Sequence, residues 1–104
     1  MIQLSGKQKR FLRSQANTMN PIFSVGKNGM TQTWVDEIVV ALNKRELVKV
    51  NVQQSADVTV KEVAQYIEDH SNITVVQTIG KTLVLYLPAI NPKYAKLSLL
   101  VNDL

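Results

Sequence analysis

The chain has no cysteine and a single histidine, His70. Disulfides and thiol nucleophiles are therefore excluded, the common zinc sites lack their ligands, and neither metal nor cofactor is expected. The absence of cysteine fits a reducing cytoplasm, which is the expected location. Long apolar runs are also missing. A run such as Ile38 to Leu42 is far short of the roughly 20 residues that cross a bilayer. No apolar stretch follows the N-terminal basic residues as a signal peptide requires, so a soluble, unexported protein with no membrane contact is expected. Catalytic groups are scarce. Asp36-Glu37 and Glu68-Asp69 are neighbours one apart on expected helices, so their side chains diverge by about 100° and do not converge as an acid–base pair would. No nucleophile constellation is present, and an enzyme is not expected.

What the chain does contain is 104 residues, 45% of them hydrophobic and 19% charged, the composition of one ordinary domain with one core. A monomer is expected. The formal net charge of +4 is distributed unevenly. Residues 1 to 27 hold Lys7, Lys9, Arg10, Arg13 and Lys27 and no carboxylate, whereas the remainder sums to −1. A basic patch on an otherwise balanced domain is the electrostatic footprint of a polyanion binder. The bland alternative is a solvated helix face that only aids solubility.

Ser5 and Gln8 have capping-box spacing, which predicts a helix over about 6–18. Phe11, Leu12, Ala16 and Met19 fall on its inner arc, and Lys7, Lys9, Arg10, Arg13, Ser14 and Asn17 on the outer one. Asn20-Pro21 ends it. A short strand is expected over 22–25, then a helix over about 31–43 with Asp36 and Glu37 near its positive end and Lys44 and Arg45 at its negative end. Residues 47–53 alternate as a half-buried strand, with Val48, Val50 and Val52 on one face and Lys49, Asn51 and Gln53 on the other. Thr59 and Glu62 cap a third helix, about 60–70. Residues 73–79 and 82–87 read as a hairpin closed by Gly80-Lys81. The order α-β-α-β-α-β-β predicts a single layered α/β domain over 1–87, with a four-stranded mixed sheet. Residues 88–104 form a tail interrupted by Pro88 and Pro92, with Tyr94, Leu97, Leu99 and Leu100 available to pack on the domain.

The candidate site is the loop Gly26-Lys27-Asn28-Gly29 between the first strand and second helix. Glycines let backbone approach a phosphate closely, the helix N-terminus contributes amides and partial positive charge, and Lys27 adds a full one. KH-type domains use a GXXG loop in this way, although an ordinary strand-to-helix turn has the same spacing. The loop closes the segment that carries the charge excess, which favours the binding reading. Gly80-Lys81-Thr82 lacks the upstream glycine of a P-loop, since Val75 stands there; it is a hairpin turn. Trp34, Tyr66 and Tyr86 are assigned to packing in preference to base stacking.

Four ordered blocks carry a resemblance: Leu4 to Arg13 (LSGKQKRFLR), Pro21-Ile22-Phe23 leading to Val25 through Gly29, Arg45 to Val50 (RELVKV), and Ile79 to Tyr86 (IGKTLVLY). Together they resemble the bacterial YhbY family of stand-alone CRM domains. The resemblance implies a fold similar to the C-terminal domain of translation initiation factor three, with RNA bound through the GXXG loop and adjacent basic surface. It implies a role in ribosome assembly, because bacterial members associate with large-subunit precursors and plant relatives carry the domain in intron splicing factors. The expected RNA-binding residues are Lys7, Lys9, Arg10, Arg13, Gly26, Lys27, Asn28 and Gly29, with Arg45 and Lys49 extending the surface. Leu87 stands where many relatives have arginine, and the tail extends beyond the family core. Two other readings compete: a protein-interaction module docking on ribosomal proteins, and a binder of any nucleic acid.

Overall fold

Ser5 begins the first element. Its hydroxyl accepts from the Gln8 amide while the Gln8 side chain accepts from the Ser5 amide, and helix α1 follows over Gly6–Ala16. The computed structural model describes residues 3–104; residues 1 and 2, included in the expected domain, lie outside the described residues. After α1 come β1 (Phe23–Val25), α2 (Gln32–Arg45), β2 (Leu47–Val52), α3 (Val60–Asp69), β3 (Thr74–Ile79), β4 (Thr82–Tyr86) and α4 (Leu97–Asn102). The expected order is found, with ends moved by one or two residues and α4 added in the tail. Thr59 and Glu62 form the second capping box. Gly80 turns the hairpin at φ 55°, as a turn with glycine in its first position requires.

The strands lie in the order β1-β2-β4-β3. β1 and β2 are parallel, and β4 runs antiparallel to both β2 and β3. The connections through α2 and α3 both move across the sheet in one direction, and right-handed crossovers in one direction place their helices on one face. The main core accordingly joins Ile38 and Leu42 of α2, Val63 and Ile67 of α3, and Val48, Val50 and Leu85 of the sheet. A smaller cluster on the other face joins Leu12 and Ala16 of α1, Val101 of α4, and Leu47, Val84 and Tyr86. Leu47 and Tyr86 are cross-strand partners at one end of the sheet, and Asn51 and Thr82 are partners at the other. α1 and α4 therefore cover one end of their face and leave the other open.

Glu46 fastens the tail. It ends α2 in the left-handed region at φ 65° and is only 1% exposed. Its Oε1 accepts from the amides of Lys96, Leu97 and Ser98 at 2.9, 2.8 and 3.2 Å, and its Oε2 from Ala89 at 2.9 Å. α4 has no side-chain cap from Lys96 at its start; Glu46, fifty residues upstream, supplies the acceptor its first amides need. Burial alone raises the carboxyl pKa, but hydrogen bonds from the Ser98 side chain and from the Ala89, Ser98 and Leu97 amides outweigh it and hold it below its ordinary value of 4.5. Burial, and then the Glu46 charge, push Tyr86 up to about 12.

The tail packs differently from the expectation. Ser98 and Val101 are buried and Leu97 is partly so, whereas Leu99 and Leu100 are 61% and 56% exposed. Positions 97, 98 and 101 share one face of a helix, and Glu46 holds that face against the domain.

Candidate nucleic-acid interface

Val25 is buried and anchors the glycine loop at the end of β1. The Gly29 amide donates to the Gly26 carbonyl at 3.1 Å, so the loop is a closed turn with Lys27 and Asn28 exposed. Gly29 has φ 71°. Gly26 needs no such freedom; a Cβ there would meet only the end of the Gln53 side chain, at 2.8 Å. An L side chain in the left-handed region costs about 1 kcal/mol. Gly29→Ala is therefore expected to lower stability by about that amount, and Gly26→Ala by much less, as measured by urea denaturation.

Thr31 starts α2, accepting from the Trp34 amide through its side chain at 3.1 Å and from the Val35 amide through its carbonyl. That leaves Gln32 and Thr33 as the amides with no intrahelical acceptor. The first turn contains no carboxylate. Asp36, expected near the positive end, sits a turn further in and accepts from the Gln32 side chain. The positive end of the dipole thus faces the loop with no carboxylate in its first turn. Trp34 packs on the main core and its Nε1 donates to the Ser24 carbonyl at 3.2 Å. Tyr66 stacks on His70 with ring centroids 4.0 Å apart, and Tyr86 is buried. Trp34 and Tyr86 pack in the core clusters, as assigned from sequence, whereas Tyr66 is half-buried against the exposed His70.

The loop shares its end of the sheet with the hairpin tip. The Gln53 amide donates to the Val25 carbonyl at 2.8 Å, and the preceding amide, Val52, donates to the Lys81 carbonyl at 2.7 Å. Lys81, in the hairpin turn, is thereby brought to the same rim as Lys27. This is also the end at which the α1 face is open. Arg13 of α1 and Asn17, which ends it, line a groove there with Lys49, Gln77 and Thr82. Arg13, expected on the outer arc of α1, is half-buried at the edge of this groove, and Lys49 is half-buried in it. Lys7, Lys9 and Arg10 are exposed on α1, with Lys7 roughly 9 Å further from the groove than Arg13 along the helix. Arg45 is not brought to the site: it ends α2, roughly 20 Å of helix away from the loop.

Charge is sorted by layer. α1 and all four strands contain no carboxylate. Of the eight acidic residues, Asp36 and Glu37 lie on α2, Glu62, Glu68 and Asp69 on α3, and Asp57 just before α3; Glu46 is buried and Asp103 ends α4. The sheet thus separates an acidic helical layer from a face whose charged residues on α1 and the strands are all cations. Sequence order shows this only for the first segment, because Lys49 of β2 joins that face through pairing.

The architecture has a solved counterpart in the solution structure of a Staphylococcus aureus protein, which matches at TM-score 0.71 and 37% identity over 90% of this chain and 98% of that one. Residues 4–86 match the model of the CRS1 / YhbY (CRM) domain, and the chain belongs to that family. A Bacillus subtilis relative named a probable RNA-binding protein is 48% identical over 83 residues, covering 80% of this chain and 86% of the relative. A Haemophilus influenzae relative named an RNA-binding protein is 42% identical over 89 residues, covering 86% and 90%. The family match ends at Tyr86, so Glu46 ties a segment outside the matched region into the fold.

Proposed function

We propose that this chain is an RNA-binding protein without catalytic activity, that it acts as a monomer in the cytoplasm, and that its target is ribosomal RNA in large-subunit precursors, which it helps to assemble. The observation that carries the reading is the carboxylate-free layer running from α1 across the open sheet to the rim that holds the glycine loop. A surface of that kind steers phosphates toward its own side of the molecule. Lys7, Lys9, Arg10, Arg13, Lys27 and Lys49 neutralise phosphate charge, and Gly26 and Gly29 allow backbone to come close. The names of the relatives support RNA as the polyanion, and the YhbY resemblance supports the ribosomal target. Crosslinking in cells followed by mapping of the bound RNA tests it. Reads concentrated on large-subunit ribosomal RNA precursors are expected; a map lacking them would remove the assembly role and leave the fold untouched.

A further inference from the structure

The groove beside α1 carries more polar groups than the two cations that phosphate attraction needs. Its polar lining is Arg13 from α1, Asn17 from the cap that ends it, Lys49 from β2, Gln77 from β3 and Thr82 from β4. Its volume is about 160 Å³, small beside the roughly 300–1,000 Å³ of pockets that enclose drug-sized ligands. Two cations suffice for phosphates. Two primary amides and a hydroxyl add adjacent donors and acceptors, the complement of a nucleobase edge.

Gln77 reaches this face through a break in the strand. β3 slips register between Val75 and Gln77. Val76 is buried in the cluster under α1, and Gln77 is paired with Val84 of that same cluster. Strict alternation would send residues 76 and 77 to opposite faces; a bulge turns a side chain to the other one. Ala16 and Val84 supply apolar surface beneath the polar groups. Tyr86, the aromatic residue of β4, is sealed under α1 at 1% exposure, so β4 offers this face hydrogen-bonding and apolar surface but no aromatic platform.

We propose that this groove takes one unpaired nucleotide of the bound RNA, its base edge on Asn17, Gln77 and Thr82 and its phosphates on Arg13 and Lys49. The inference rests on the reading of the chain as an RNA binder and adds that it selects RNA with unpaired segments. A duplex keeps its bases stacked and paired, and its deep major groove admits no side chain, whereas an unpaired base can turn into a groove of this size.

The test uses the full chain with two RNAs of equal phosphate number, a mixed-sequence stem–loop and a blunt duplex. The parent is expected to bind the stem–loop about tenfold more tightly, and Asn17→Ala with Gln77→Ala to remove that preference by weakening stem–loop binding about tenfold, with duplex binding and the salt slope unchanged. A second measurement does not depend on the variant folding. In the parent, the side-chain amide resonances of Asn17 and Gln77 should shift on adding the stem–loop and stay in place on adding the duplex. Equal affinity of the parent for both RNAs, an equal loss on both in the variant, or unmoved amide resonances would overturn the groove while RNA binding stands. Binding to neither RNA at low salt would overturn both.

Discussion

Glu46→Ala is expected to lower the free energy of unfolding by about 3 kcal/mol and to release residues 88–104 from the domain. The carboxylate accepts four backbone amides from the tail, and charged acceptors of buried amides make the stronger class of hydrogen bond. The loss stays below the sum of four such bonds because the freed amides regain water once the tail lifts. Urea denaturation followed by Trp34 fluorescence measures the first effect. Faster hydrogen exchange at Lys96, Leu97 and Ser98 measures the second. Glu46→Gly separates backbone from side chain: it relieves a left-handed non-glycine residue, worth about 1 kcal/mol, yet is still expected to destabilise. A more stable glycine variant would show that the carboxylate contributes little.

The same residue makes stability depend on pH with a definite sign. The folded carboxyl lies below its ordinary value of 4.5, so its contribution is complete above that value and is lost as the pH falls through the folded one. Glu46→Gln should flatten this acid limb as well as lower stability at neutral pH. Tyr86 acts at the other extreme. Its raised folded value makes its contribution complete below the ordinary 10.0 and lost as the pH rises toward about 12.

Arg10→Glu with Arg13→Glu is expected to weaken RNA binding about hundredfold near physiological salt while leaving the fold intact. Each lost phosphate contact forfeits the release of a counterion, about 0.7 units of log–log salt slope on single strands, and each new carboxylate adds repulsion. The slope should therefore become shallower by about 1.5. Filter binding across a salt series measures both quantities. Lys44→Glu with Arg45→Glu is the matched comparison, since it changes net charge equally at the far end of α2. Separated from the loop by more than a Debye length, it is expected to cost less than about threefold. Equal losses from the two pairs would mean that net charge, and not the α1 face, governs binding.

Much of the fold could be read locally. Both capping boxes lie within four residues, and the helix starts they predict at Gly6 and Val60 are the observed ones. The alternation of Leu47 to Val52 sends Val48, Val50 and Val52 to the main core, because side chains of a strand change face at every residue. Other features escaped local rules. Gln77 could not be assigned its face, since a single bulge inverts everything beyond it. The positions of Lys81 and Arg45 relative to the glycine loop depend on β4 lying between β2 and β3, which places the hairpin tip beside the loop and leaves the end of α2 distant. Glu46 gave no signal, because glycine or asparagine is the ordinary occupant of a left-handed helix end.

The glycine loop, the cationic α1 and the order of elements were determined by the sequence itself, since capping, alternation and charge act over a few residues. The open half-face, the groove beside Arg13 and the buried grip of Glu46 on the tail were decided only by tertiary structure. Two crossovers in one direction place α2 and α3 on one side of the sheet. The short α1 and α4 are left to cover the other side, and they shield only the end around Leu47 and Tyr86.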